Sequence, residues 1–310
     1  MILNHKDLLG IQTLSRTEIE GILDTAQMMK QVLSATSKKT AHLQGKSVIT
    51  LFYENSTRTR LSFEMASKFM GASSANISAS SSSVNKGESL IDTARTIDQM
   101  GTDVLIIRHP QSGAPHLIAP HLKASVINAG DGMNEHPTQA LLDLFTMREK
   151  KGRLSGLRVA IVGDLMHSRV ARSNLWGLIK MGAEVRVAAP ATLLPPELDK
   201  MGAAVCSSIQ DAVRDADVVM GLRIQLERMK QASFPSIAEY ARFFAVDQSQ
   251  LRLARPDAIV MHPGPCNHGV EMPTVVYDSE QSVIQEQVTN GVAIRMAVLY
   301  LLTSRRSQLQ

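Results

Sequence analysis

Short apolar runs recur along the chain with helix-period segments between most of them, and this alternation restricts the fold more than any other feature. Strand-like runs lie at 47–53, 103–107, 124–128, 157–162, 184–189, 217–220 and 258–261. Helical spacing is predicted over 16–33, 59–70, 89–100, 137–149, 169–181, 209–214 and 236–243. Apolar runs without clean alternation suit parallel strands covered by helices on both faces. The expected class is α/β, with two doubly wound domains, each a mainly parallel sheet flanked by helices. A length of 310 residues accommodates two domains. The polar, glycine-bearing stretch Lys150-Lys151-Gly152-Arg153-Leu154-Ser155-Gly156 follows a long helical pattern and marks the expected boundary. The serine-rich segment 73–83 reads as a low-complexity linker. The run from Val292 to Leu302 is too short for a membrane span and is predicted to be a docked amphipathic helix.

One strand-to-helix turn carries unusual chemistry. After Val48-Ile49-Thr50-Leu51-Phe52 come Ser56, Thr57, Arg58, Thr59 and Arg60, and a helical pattern follows from Leu61. A helix N-terminus already carries partial positive charge, so arginines there call for something negative. Unpaired backbone N–H groups, three hydroxyls and a guanidinium fork together suit a phosphate or carboxylate. An ordinary serine N-cap with solvated arginines is the plainer alternative. Four more strand ends carry polar clusters: Arg108-His109-Pro110; Gly130 through His136 to Gln139; Gly163 through His167 to Arg169; and Arg223-Ile224-Gln225. A fifth, His262-Pro263-Gly264-Pro265, closes the last strand. Open α/β sheets bind ligands at the carboxyl ends of their strands. Arginines 58, 108, 169 and 223 at such places point to ligands with several negative charges. Lys86, beside Gly87 at a helix start, fits either a solvated lysine or one on a lid.

Other chemistries lack their residues. Gly163 is followed by no second glycine, so the dinucleotide fingerprint is missing, as are a Walker loop and a Gly-x-Ser-x-Gly elbow. His262, Cys266 and His268 form the one tight cluster of potential metal ligands, and loop decoration is its simpler reading. No metal and no cofactor are expected. A formal charge of +4 without any Lys/Arg run gives little support for nucleic acid, and neither nucleic acid nor membrane is expected as a partner. Cys206 and Cys266 lie far apart, which fits reduced thiols, and no secretory signal is recognised; a cytoplasmic location is expected. Acyl-type transfer driven by cations and hydrogen-bond donors remains.

The segments Ser56–Arg60, Lys86-Gly87-Glu88-Ser89, Arg108-His109-Pro110, His136-Pro137-Thr138-Gln139 and His262–Pro265 resemble, in order and spacing, the aspartate/ornithine carbamoyltransferase family over essentially the whole chain. His136–Leu144, His167–Asn174 and Arg223–Arg228 resemble the aspartate branch in its short bacterial form; ornithine members carry His-Cys-Leu-Pro where this chain has His262–Pro265. His268 stands where many relatives carry arginine. The resemblance implies a carbamoyl-phosphate domain over 1–149, completed by a C-terminal helix at 286–310, and an aspartate domain over 150–285. It implies that Ser56, Thr57, Arg58 and Thr59 cradle the phosphate. Arg58, Thr59, Arg108 and His136 would be catalytic, and Gln139, Pro263, Gly264 and Pro265 would hold the carbamoyl amide. Lys86, Arg169, Arg223 and Gln225 would bind aspartate. It further implies a homotrimer in which Ser82 and Lys86 come from the neighbouring subunit, domain closure over the substrates, and association with dihydroorotase or regulatory chains as an open question. The pathway implied is pyrimidine biosynthesis.

Overall fold

A computed structural model describes residues 3–78, 87–225, 228, 234 and 236–308. The chain divides into two compact units, Met1–Leu142 with Thr289–Gln310, and Asp143–Val288. In the first unit α1 (Arg16–Ser34) precedes β1 (Ser47–Phe52), α2 (Thr57–Phe69), β2 (Ser73–Ser78), α3 (Leu90–Gln99), β3 (Val104–His109), α4 (Ala114–Ile118) and β4 (Ser125–Asp131). All pairings in this sheet are parallel and the strand order is β2-β1-β3-β4. Helix α5 (Pro137–Lys151) starts in this unit and ends in the second.

The second unit contains β5 (Arg158–Val162), α6 (Arg169–Lys180), β6 (Glu184–Ala188), β7 (Ala204–Val205), α7 (Ile209–Val213) and β8 (Val218–Gly221). It continues with α8 (Ile237–Phe244), α9 (Gln248–Leu251), β9 (Ile259–Met261) and α10 (Thr274–Tyr277). The parallel order is β7-β6-β5-β8-β9. Helix α11 (Ile284–Gln308) begins here and finishes in the first unit.

The expected α/β class with two parallel, helix-flanked sheets is what forms. Its cause is visible in the strands: β4 is buried at every residue, as are β8 and β9, so each must be apolar or internally hydrogen-bonded on both faces. Serines punctuate the helices. Ser15, Ser56, Ser89, Ser168, Ser208 and Ser236 each cap a helix by accepting a backbone N–H from the first turn.

Two expectations need correction. Residues 73–78 form a strand, not a linker: β2 pairs with β1 from Ser47↔Ser73 to Phe52↔Ser78. Its sequence hides this because it is a largely exposed edge strand with little apolar face: Ile77 is partly buried against the core. The C-terminal helix is not amphipathic, because Ala293–Leu299 are all buried. A helix buried on all sides needs no polar face. Its one cation there, Arg295, donates to the Gly291 carbonyl at 2.9 Å and lies 5.0 Å from the centre of the Phe63 ring. Among the described residues, no helix is long and apolar enough to cross a membrane.

Candidate active site

The strand order places a switch point in each sheet. In the first, the connection after β1 leads out to β2 on one side, while β3 and β4 lie on the other. Loops leaving the carboxyl ends of β1 and β3 therefore diverge, the arrangement that opens a binding crevice. The Ser56–Thr59 turn follows β1, and Arg108 lies in β3 opposite Phe52. These predicted residues are thus brought to one place. The Ser56 hydroxyl accepts from Thr59 N at 3.3 Å; Thr59 is buried, while Thr57 and Arg58 are exposed. The first turn of α2 contains no acidic residue to offset the helix dipole or Arg58 and Arg60. The Arg108 guanidinium donates to Glu54 Oε1 at 3.2 Å and to the Ala129 carbonyl at 3.5 Å, which holds it at the ends of the strands. Next to it, His109 lies 4.8 Å from the Tyr53 ring and accepts from Gln111 N through Nδ1 at 3.0 Å. Burial pushes its pKa down.

His136 and Gln139 open α5, with the His136 carbonyl accepting from Gln139 N at 3.0 Å. Both side chains are buried or nearly so. Their approach loop is built on carboxylates. Asp131, fully buried, accepts from Gly113 N at 2.7 Å, Asn128 Nδ2 at 2.8 Å, Asn134 Nδ2 at 3.0 Å and Glu135 N at 3.1 Å. Glu135 accepts from Ile11 N at 2.7 Å and Gln12 N at 3.2 Å. Gly132 (φ +50°) passes so close to Ser112 that a Cβ would lie 2.5 Å from its hydroxyl. The sequence alone assigns Asn128, Asp131 and Glu135 no role. The signal it does carry is a polar residue, Asn128, directly after the apolar pair Val126-Ile127.

In the second sheet the order reverses between β5 and β8. Gly163 (φ +127°) leaves β5 so tightly against β8 that a Cβ would lie 2.8 Å from the Leu222 carbonyl. Arg169 begins α6 behind the Ser168 cap and is 3% exposed. Arg223 and Gln225 follow β8 on a segment whose backbone is pinned by two buried carboxylates. Asp164 accepts from Gln225 N at 3.1 Å, from His167 N at 3.0 Å and from His167 Nδ1 at 3.0 Å. Glu271 accepts from Ile224 N at 3.0 Å and from both nitrogens of Asn267 at 2.9 Å. Burial outweighs these hydrogen bonds and raises the Glu271 pKa. Neither carboxylate stands out in the sequence, since nothing local marks a buried acid in a loop. Arg228 donates to the His167 carbonyl at 3.0 Å, tying the two loops again.

After β9, His262 N donates to Gln287 Oε1 at 3.0 Å, and its Nδ1 accepts from Gly264 N at 2.9 Å. These contacts shape the Pro263–Pro265 turn. Burial pushes the Cys266 thiol up to about 12, which keeps it protonated and a poor nucleophile. His268 packs edge-on against Tyr277 at 4.7 Å. The remaining predicted residues, Ser82 and Lys86, lie outside the described residues.

Two family models match the chain: "Aspartate/ornithine carbamoyltransferase, carbamoyl-P binding domain" over residues 6–149, and the corresponding Asp/Orn binding domain over 155–302. An aspartate carbamoyltransferase catalytic subunit of Ruminiclostridium cellulolyticum is 70% identical over 305 residues, covering 98% of this chain and 97% of that protein. Among solved structures, aspartate transcarbamoylase of Trypanosoma cruzi with carbamoyl phosphate and aspartate superposes with a TM-score of 0.86 at 31% identity, covering 95% of each chain. Ornithine carbamoyltransferase of Pyrococcus furiosus gives 0.88 at 31% identity, covering 98% of this chain and 99% of that one. The fold is therefore common to both amino-acid specificities, and sequence separates them.

Proposed function

The chain belongs to the aspartate/ornithine carbamoyltransferase family, and from that premise we infer that it transfers the carbamoyl group of carbamoyl phosphate to the amino group of L-aspartate, giving N-carbamoyl-L-aspartate and phosphate. The observation that carries the choice of aspartate is whole-length identity of 70% to an aspartate enzyme. It is supported by two arginines and a glutamine at the second switch point, which suit an amino acid with two carboxylates. Ornithine would bring a second ammonium group to Arg169 and Arg223, a repulsive match.

Ser56, Thr57 and Arg58, with the backbone N–H groups of α2, hold the phosphate. Thr59, Arg108 and His136 donate to the carbonyl oxygen, where negative charge grows as the amine attacks. One such donor is typically worth about a hundred- to a thousand-fold in rate. Arg108 must exchange its contact with Glu54 for the substrate. Gln139 and the carbonyls of the Pro263–Pro265 turn orient the carbamoyl NH2 group. Arg169, Arg223, Gln225 and Lys86 hold aspartate so that its neutral amine faces the carbonyl carbon. The new C–N bond forms, the C–O bond to phosphate breaks, and the amine proton leaves with the phosphate. Positioning of two anions then supplies much of the rate.

The enzyme acts as a homotrimer in the cytoplasm, in pyrimidine biosynthesis, with Ser82 and Lys86 supplied by the neighbouring chain; the family resemblance of the Lys86–Ser89 segment supports this. Mixing inactive Lys86→Ala and Arg58→Ala variants with proven subunit exchange restores activity under this reading, up to about one native site per mixed trimer. No recovery would mean that Lys86 serves its own chain. The substrate assignment is tested by incubating the purified protein and carbamoyl phosphate with a panel of amino acids. L-aspartate is carbamoylated, and L-ornithine turnover of equal speed would refute the assignment.

A further inference from the structure

We propose that Asp143 is a positioning residue that sets two substrate-binding elements at once: the His262–Pro265 turn, through Gln287, and the start of α6, through Asn174. The inference rests on the roles given above to Pro263–Pro265 and Arg169. Asp143 is fully buried on α5. Its Oδ1 accepts from Gln287 Nε2 at 2.8 Å, and its Oδ2 accepts from Asn174 Nδ2 at 2.8 Å. A carboxylate accepts and does not donate. It therefore forces both amides to present their NH2 groups, and the carbonyl end of Gln287 is turned away from it. That carbonyl oxygen accepts from His262 N at 3.0 Å, and His262 Nδ1 in turn accepts from Gly264 N at 2.9 Å. Contacts thus run from Asp143 through Gln287 and His262 to the middle of the turn proposed to hold the carbamoyl group, and Asp143 fixes the orientation of the Gln287 amide that anchors His262.

The second arm is shorter. Asn174 is fully buried on α6, the helix whose first residue is Arg169. Its Nδ2 also donates to the Val170 carbonyl at 3.1 Å, so the contact with Asp143 is tied to the first turn of the helix. A leucine would pack on this part of α5 without burying a charge, as Leu142 and Leu144 do. Burying a carboxylate where packing alone would serve disfavours the fold. Its use is directional: it fixes which end of each amide points where.

The test exchanges that direction. Asp143→Asn presents an NH2 group to one of two amide donors, and Gln287→Glu sets two carboxylates face to face. The double variant restores a consistent pattern: Asn at 143 donates to Glu at 287 and accepts from Asn174, while Glu at 287 still accepts from His262 N. Steady-state kinetics with each substrate varied, alongside thermal unfolding, reads the outcome. Each single change is expected to lower kcat/KM on the order of tenfold, as a lost oriented hydrogen bond does. Asp143→Asn raises the KM for both substrates, and Gln287→Glu chiefly that for carbamoyl phosphate. The double variant recovers to within about threefold of wild type, about 0.6 kcal/mol. Wild-type KM values in both singles with only a lowered Tm would overturn the proposal, as would additive losses in the double. If both singles fail to fold, an active double variant upholds it and an unfolded one overturns it. Wild-type protein runs in parallel, so a wrong substrate assignment shows separately as wild-type inactivity toward L-aspartate.

Discussion

The two switch points offer anions different kinds of group. At the first, the residues proposed to hold the phosphate are a contiguous run: Ser56 caps α2 and Thr57 to Thr59 lie in its first turn, where a helix end offers N–H donors and a favourable dipole. At the second, Arg169 opens α6 while Arg223 and Gln225 follow β8, on a segment whose backbone is pinned by Asp164 and Glu271. A phosphate can be met by a helix end. Two carboxylates held apart on an amino acid need long side chains, and long side chains aim well only if their backbone is fixed. Buried acids are the cost of that precision in the second unit, whereas in the first they fix the approach to His136.

The largest effect that would break this contrast concerns the arginines. Arg58→Ala is expected to lower kcat about a hundred- to a thousand-fold and to weaken carbamoyl-phosphate binding, given the role proposed for it on the leaving phosphate. A loss confined to the KM for aspartate would reverse the assignment. Removing a pin comes next. Asp164→Ala leaves Gln225 N and His167 N without their acceptor, at about 1–3 kcal/mol each. The aspartate KM should rise steeply while carbamoyl-phosphate binding, measured by calorimetry, is kept.

Glu271 sharpens the contrast through pH. Its folded-state pKa is raised above 4.5 by burial, so between the two values the folded protein holds a proton that the unfolded chain has lost. Its contribution to stability is full below pH 4.5 and falls as pH rises through the higher, folded value. Glu271→Gln removes that fall, so the Tm difference between variant and wild type should shift in favour of the variant as pH rises across this window. A difference independent of pH would show that Glu271 does not titrate there. The smallest test compares two helix caps. Ser168→Ala should cost about 1 kcal/mol of stability without weakening carbamoyl-phosphate binding, since Ser168 caps α6 in the second unit. Ser56→Ala should cost a similar stability and also weaken carbamoyl-phosphate binding. Equal affinity losses would erase the distinction.

The same contrast explains what is legible in the chain. The Ser56–Thr59 run is a contiguous motif, and arginines at a helix start are an anomaly that the sequence alone displays. Arg169, Arg223 and Gln225 are reachable because each follows an apolar strand. Asp164, Glu271, Asp131 and Asp143 are not, because each also ties down a residue distant in sequence: Asp143 meets Gln287, Asp164 meets Gln225, Asp131 meets Gly113 and Glu271 meets Ile224. Central strands declare themselves by continuous apolar runs, whereas β2, an exposed edge of serines, carries no periodic signal. The two-residue β7, which pairs with β6, and the short α4, α9 and α10 are too brief for a periodic pattern to show.

Calorimetric titration of Arg223→Ala with carbamoyl phosphate, followed by steady-state titration with L-aspartate, tests the division of labour most directly. Carbamoyl phosphate should bind as tightly as to wild type, while the KM for aspartate rises by the equivalent of about 2–5 kcal/mol, the loss expected where bound aspartate buries the charge pair. If Arg223→Ala abolishes carbamoyl-phosphate binding, the two switch points do not hold separate substrates.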